Sequence, residues 1–406
     1  MYHNEPLTQQ DVVKQLDEAC ALHQSGAYAE AEARYRRLLS HLPDCWQLLY
    51  NLGLLLHDCK RYDEATESYR RALRLGIEDG DLYFNLALTC KQRGHLDEAI
   101  IYYQKALDLQ PEDSDYRYNL AGCYLADGRH DAAIAAYEAV LRFDPGHLPA
   151  LNNLAYLNHI TGKIERAIEL YQLVLTLRPD SPSAEYMLAA LSGERRITAP
   201  ANYVRDMFDQ YADHYESSLL SNLHYSVPNR LGALVTSVTS KEVFSGMLDL
   251  GCGTGLIGER FQDSVEQLHG IDLSRKMISL AASKNCYDAL YVEEIEQFLR
   301  QCTERYDLIV AADVFPYVGQ VDNILQGTRD IATDDALFFL TIEELTGSDR
   351  ALHLGPSGRF AHADHFIRRC ATDCGWTVLC AERIPLRKER DQWVAGIIYG
   401  LSTSPR

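Results

Sequence analysis

Leu248-Asp-Leu-Gly-Cys-Gly-Thr-Gly255 follows Met247 and closes a short apolar run, Met247–Leu250, with three glycines in five residues. The run reads as a buried strand, and Leu256–Phe261 after it as a helix. Glycines at such a turn let the backbone approach a ligand, and the helix start presents free N–H groups. A second apolar run, Leu268-His-Gly-Ile-Asp272, ends in an acid 21 residues after Gly251. A carboxylate there can accept both hydroxyls of a ribose. The turn is Gly-x-Gly-x-Gly, which departs from the Gly-x-Gly-x-x-Gly of dinucleotide sites.

That spacing resembles the class I methyltransferases, where the glycines cradle the amino-acid part of S-adenosylmethionine. Further runs extend the resemblance across 202–406. Leu290–Ile295 is similar to the third strand, with Glu294 where the acid beside the adenine amine stands. Tyr306–Val314 and Ala336–Thr341 are similar to the fourth and fifth strands. Trp376–Cys380 and Trp393–Tyr399 are similar to the closing antiparallel pair. The resemblance implies a cofactor site built from Asp249, Gly251, Cys252, Gly253, Gly255, Asp272, Leu273, Met277, Glu294, Ile295 and Ala312. A helix over 203–215, with Phe208, Tyr211 and Tyr215 on one stripe, is expected to lie over the cofactor, so Tyr203, Tyr211 and Tyr215 join the site.

Methyl transfer from a sulfonium is an in-line displacement that alignment alone accelerates, so a catalytic group need not exist. Three residues are candidates to touch the acceptor. Tyr317, in Asp313-Val-Phe-Pro-Tyr317, follows the fourth strand. Arg359 and His362, in Gly358-Arg-Phe-Ala-His362, lie in an insertion after the fifth, where arginine could hold an anion and histidine take a proton. Arg387 and Glu389 read as a strand-edge charge pair.

Upstream, the chain repeats itself every 34 residues from positions 12, 46, 80, 114 and 148. The eighth residue of each unit is small (Ala19, Gly53, Ala87, Ala121, Ala155), the twentieth is alanine (Ala31, Ala65, Ala99, Ala133, Ala167), and the twenty-fourth is tyrosine (Tyr35, Tyr69, Tyr103, Tyr137, Tyr171). Small residues let paired helices approach, the tyrosine fills the groove against the next unit, and Pro43, Pro111, Pro145 and Pro179 stop the second helix. These residues resemble the tetratricopeptide repeat. The resemblance implies a superhelix with a concave groove that binds a peptide or protein. Asn51, Asn85, Asn119 and Asn153, one per repeat, would ladder amides along that groove.

The fold expected is therefore an α superhelix of tetratricopeptide repeats followed by an α/β Rossmann-like class I methyltransferase domain. The expected boundaries are five repeats plus a capping helix at 12–192, a linker at 193–201 whose Gly, Pro and charges lack periodicity, and the methyltransferase domain at 202–406. This architecture resembles a group of bacterial proteins without a single substrate, and implies S-adenosylmethionine as cofactor with the array recruiting a protein or protein-borne acceptor. Two alternatives stand beside it. The segment FDQYADHYE, 208–216, is also similar to enzymes that methylate a carboxyl on acyl-carrier protein, which would give Arg359 a carboxylate to hold. A repeat scaffold whose second domain only senses the cofactor is the other.

Net charge is −19, spread evenly: 29 acids and 20 bases in 1–199, 29 and 19 in 200–406. That field disfavours nucleic acid as a direct partner. The eleven cysteines include no Cys-x-x-Cys pair, so no metal site is expected and the thiols read as small hydrophobes. No run is long enough to span a membrane, and a reducing cytoplasm is the compartment expected.

Overall fold

The computed structural model describes residues 9–194, 196–217, 219–220, 223–389 and 392–404. The chain forms two compact units, Met1–Leu177 and Arg178–Arg406.

The first unit is five helix pairs: α1 (Gln9–Gln24) with α2 (Tyr28–His41), α3 (Trp46–Asp58) with α4 (Tyr62–Arg74), α5 (Gly80–Gln92) with α6 (Leu96–Leu109), α7 (Ser114–Ala126) with α8 (His130–Phe143), and α9 (Leu148–Ile160) with α10 (Ile164–Leu177). The helices of a pair pack on one another, and each second helix packs on the first helix of the next pair. The small residues and alanines of the repeat are buried at these crossings, as are the tyrosines. The tyrosines serve their own pair as well as the next one. Tyr69 lies against Gly53 of its own pair, and Tyr103 stands 5.6 Å from Phe84 of its own. The Tyr137 hydroxyl accepts from Asn153 Nδ2 of the next pair at 3.0 Å.

The second unit opens with α11 (Pro182–Ser192), α12 (Ala201–Ser217) and α13 (Val227–Val238). Strands and helices then alternate: β1 (Met247–Leu250), α14 (Leu256–Phe261), β2 (Leu268–Asp272), α15 (Arg275–Ser283), β3 (Ala289–Val292), α16 (Ile295–Gln301), β4 (Tyr306–Ala311), α17 (Asp322–Asp330) and β5 (Ala332–Glu344). A small hairpin, β6 (Leu352–Leu354) and β7 (Phe360–His362), precedes α18 (Asp364–Asp373), and β8 (Thr377–Glu389) and β9 (Gln392–Ser402) end the unit. Strands β3-β2-β1-β4-β5 run parallel in that order, and β9 continues the sheet antiparallel to β5 with β8 outside it. The C-terminal end of β5 also pairs with β7.

Both faces of this sheet are covered, which explains why its strands read as continuous apolar runs. Leu248, Leu250, Ile309, Ala311, Phe338 and Leu340 face one core, and Met247, Leu308, Val310, Leu337 and Phe339 the other. Asp307 fastens the edge between β1 and β4. It accepts from Lys241 Nζ at 2.6 Å and from the N–H groups of Ser245 and Gly246.

At the junction, helix α11, read as a cap on the repeats, also packs within the second unit: Tyr186 donates to the Gly358 carbonyl at 2.9 Å and its ring lies 5.0 Å from Tyr203. The stretch read as a linker is tied down from Ile197 on. Thr198 bridges Val318, Ala199 N–H donates to the Tyr317 carbonyl, and Gln320 N–H donates to Ile197. A segment without periodicity can still be fixed by a short edge pairing, which leaves no sequence pattern. Arg195, within that stretch, lies outside the described residues.

Candidate active site

A cleft of about 1140 Å³, part of it open to solvent, lies at the C-terminal ends of β1, β2 and β4. This is the switch point where a parallel sheet reverses its strand order and where such sheets take ligands. Its walls are the turn after β1, the end of β2, the start of α16, the turn after β4, and α12.

The three glycines of the turn all have positive φ, but for different neighbours. A Cβ on Gly251 would stand 2.6 Å from Val314, and one on Gly255 3.1 Å from the Tyr287 ring. Gly253, at φ +54°, has nothing within 4 Å of that position. Gly253 is therefore where the turn leaves room for a ligand, and the other two hold the turn against β4 and α15. Asp272 lines the cleft and accepts from the Gly253 N–H at 3.0 Å and the Ser274 N–H at 2.8 Å. Burial raises its carboxyl to about 6 against the pull of those N–H groups.

Cys252, Leu273, Glu294, Ile295 and Ala312 line the cleft as expected, as do Gly251, Gly253 and Asp272. Asp249, Gly255 and Met277 do not. Asp249 points from β1 into the core beneath the turn, where it accepts from the Tyr287 hydroxyl at 2.7 Å and burial pushes its carboxyl up to about 7. Met277 is buried in α15, its N–H capped by Ser274 Oγ. Gly255 and Asp249 belong to the turn and its support, and Met277 to the core of α15.

Helix α12 presents Val204, Phe208 and Tyr215 to the cleft. Tyr203 stands roughly 140° around the helix from Phe208, and packs on Tyr186 instead. Tyr211 sits at the edge of the stripe, 38% exposed. The helix is fastened to α15 at two points: Asp209 accepts from Ser274 Oγ at 2.5 Å, and Glu216 pairs with Lys284 at 3.0 Å.

Of the three acceptor candidates only Tyr317 lines the cleft, edge-on to Phe208 at 5.4 Å. His362 lies on β7 and is fully buried. Its Nε2–H donates to the carbonyls of Val318 at 2.9 Å and Gly319 at 3.1 Å, and burial lowers its pKa to about 4. It is a neutral structural donor. Arg359 pairs with Glu389 at 2.8 Å and Glu343 at 3.6 Å and does not line the cleft. Arg387, read as a strand-edge residue, is buried and bonds the same two acids. Residues the sequence reading passed over also line the cleft: Asp313 and Tyr225. For Asp313 the signal was available, an acid two residues past β4; for Tyr225 there was none.

Among the described residues no cluster of His, Cys, Asp or Glu could hold a metal, and no helix is long and apolar enough to cross a membrane. All eleven cysteines are free thiols.

The second unit is a parallel sheet with a glycine turn after its first strand and an acid ending its second, and the first unit is a tandem array of helix pairs. Comparison with known families agrees. Tetratricopeptide repeat models match residues 47–112, 84–147 and 124–191, and a methyltransferase domain model matches 248–338, so the chain carries tetratricopeptide repeats and a methyltransferase domain. A ubiquinone biosynthesis O-methyltransferase from Glaesserella parasuis is 25% identical over 173 residues, 37% of this chain and 73% of that one. A malonyl-[acyl-carrier protein] O-methyltransferase from Bacillus anthracis is 26% identical over 144 residues, 34% of this chain and 49% of that one. The chain thus spans between 49% and 73% of the length of the curated relatives it matches. Among solved structures, the repeat protein YrrB, described as having an unusual peptide-binding site, is 26% identical at a TM-score of 0.40, covering 44% of this chain and 92% of that one. Magnesium protoporphyrin IX methyltransferase from Synechocystis PCC 6803 is 17% identical at a TM-score of 0.40, covering 50% of this chain and 99% of that one.

Proposed function

We propose that the second unit is an S-adenosylmethionine-dependent methyltransferase and that the repeat array brings it a protein, or an acceptor that a protein carries. The observation that carries the first part is Asp272. Backbone N–H groups of Gly253, Leu273 and Ser274 use part of its acceptor capacity, and the carboxylate keeps capacity to accept from a ligand hydroxyl. It faces the cleft, with Gly253 open on one side and Glu294 on another. In this reading Asp272 holds the ribose hydroxyls, Glu294 the adenine amine, and the turn at 251–253 the amino-acid end. S-adenosylmethionine, when bound, supplies an electrophilic methyl carbon on a sulfonium. Phe208, Tyr215 and Tyr317 keep water from the acceptor end.

For the array, the support is the four asparagines. Each is half-buried, and Nδ2 of each is fixed by a carbonyl of its own helix or by a tyrosine hydroxyl. An oriented amide oxygen is an acceptor for the N–H of an extended peptide.

Calorimetric titration with S-adenosylhomocysteine tests the reading. Binding to the wild-type chain and its loss in Asp272→Ala is the expected result, and absence of binding to the wild type would sink it. Replacing Asn85 and Asn119 with alanine should weaken capture of a partner and leave that titration unchanged; loss of both together refutes the division of labour.

A further inference from the structure

Asp313 follows β4 at φ +56° and lines the cleft. Aspartate is one of the few non-glycine residues that adopt a left-handed backbone, because its short side chain bonds locally, and residues in such conformations gather at binding sites. Thr341 supplies the clamp. Its Oγ1 accepts from the Asp313 N–H at 2.8 Å and donates to Asp313 Oδ1 at 3.3 Å. Tyr225 lies beside it with its hydroxyl bonded to the Asp313 carboxylate, and burial together with that carboxylate pushes the phenol well above its usual range. With Phe208, Tyr215 and Tyr317, Tyr225 gives this end of the cleft aromatic walls.

The charges decide what such a pocket can hold. Behind the wall, Arg359 and Arg387 are matched by Glu343 and Glu389, two cations with two anions. Around the cleft itself stand Asp272, Glu294, Glu296 and Asp313, and no Lys, Arg or His among the described residues. A carboxylate brought here meets like charge, and Arg359 and Arg387, whose charges reach Tyr317 and Asp313 from behind the wall, are already paired with Glu343 and Glu389. A group that donates a hydrogen bond finds a fixed carboxylate, and aromatic faces favour a flat or cationic body.

Resting on the methyltransferase reading above, we infer that Asp313 holds the methyl acceptor through a hydrogen bond from the acceptor's own O–H or N–H. The site therefore takes hydroxyl or amine acceptors and rejects carboxylates. The test uses the full chain saturated with S-adenosylhomocysteine and titrated at neutral pH with phenol, benzylamine and benzoate. These are rings of similar size presenting a hydroxyl, an ammonium and a carboxylate. Phenol or benzylamine should bind at least about tenfold more tightly than benzoate, a preference of ~1.4 kcal/mol, and the tighter of the two tells a hydroxyl site from an amine site. Asp313→Asn, which tolerates the left-handed backbone, should abolish that preference with S-adenosylhomocysteine affinity unchanged. Thr341→Val, which removes the clamp and keeps the acid, should reduce it. Preference for benzoate, no preference, no binding of any probe, or a preference untouched by Asp313→Asn overturns the inference. Failure of S-adenosylhomocysteine to bind the wild type overturns the methyltransferase reading instead.

Discussion

The backbone N–H of Gly253 donates to Asp272 Oδ2 at 3.0 Å, which joins the turn after β1 to the acid that ends β2. The same carboxylate is therefore both a strut for the turn and, in the reading proposed above, the receiver of the ribose. Burial, reinforced by Asp209 and opposed by the N–H groups of Ser274 and Gly253, raises it to about 6.

A pH dependence of binding follows. Ribose hydroxyls donate to the ionised carboxylate, so the ligand selects the deprotonated form. Affinity for S-adenosylhomocysteine should be level above pH ~7 and fall below about 6, by up to about tenfold per pH unit. Asp272→Asn should bind roughly 10–100-fold more weakly at pH 7.5, the range of a charged hydrogen bond, and lose the slope. Calorimetry on both proteins from pH 5 to 8 checks this. Parallel slopes would assign the titration to another group.

His362 gives a stability effect of definite sign. Its folded pKa of about 4 lies below the unfolded value near 6.5, because burial penalises the cation. The stabilisation is whole above pH 6.5 and is lost as pH falls through 4, a change on the order of 3 kcal/mol. His362→Gln keeps a donor for the Val318 and Gly319 carbonyls and cannot take the proton. The gap between wild type and variant should narrow or reverse between pH 6.5 and 4 in urea unfolding followed by tryptophan fluorescence. A constant gap contradicts a buried, neutral imidazole.

These two residues also mark what the sequence could convey. Gly251, Gly253, Asp272 and Glu294 were legible because each sits at the end of a strand, and strand ends are set by local pattern. His362 and Arg359 stand on a hairpin of three-residue strands, too short for alternation to register, and which way each faces depends on pairing with β5. Tyr203 was placed on the right helix but on the face away from the cleft. Arg387 looked like an edge charge because burial of a charge becomes visible only once Glu343, 44 residues away, is beside it. Asp313 and Thr341 are likewise joined by strand pairing.

In the repeats, the second unit departs from its siblings at Gly53, where the others carry alanine. Alanine in a helix gains about 1 kcal/mol over glycine, which argues for the substitution. Against it, a Cβ on Gly53 would lie 2.4 Å from Tyr69 Cε1 and 2.7 and 2.8 Å from two further ring atoms. Tyr69 is fully buried, and overpacking of this kind costs typically 1–3 kcal/mol. Gly53→Ala should therefore lower stability by about 1 kcal/mol in urea unfolding. A more stable variant would mean that the tyrosine ring gives way.

Lys60 is another of the same unit's departures, and there the sign reverses. Gly26, Gly94, Gly128 and Gly162 close the corresponding turns at φ between +72° and +82°, and Lys60 stands in that place at φ +59°. Its side chain is exposed, and the turn's bonds, Lys60 N–H to the His57 carbonyl and Arg61 N–H to Leu56, belong to the backbone and survive any substitution. The Cβ is then the main thing lost. Removing it relieves the left-handed penalty of roughly 1–2 kcal/mol, less the extra chain entropy that glycine brings to the unfolded state. Lys60→Gly should raise stability by about 0.5–1 kcal/mol, seen as a higher urea midpoint with an unchanged slope. The two substitutions bring the second repeat to the residues of the others, yet one should weaken the array and the other strengthen it. At Gly53 a neighbouring ring occupies the space that a side chain needs, and at Lys60 only the backbone's own geometry is at issue.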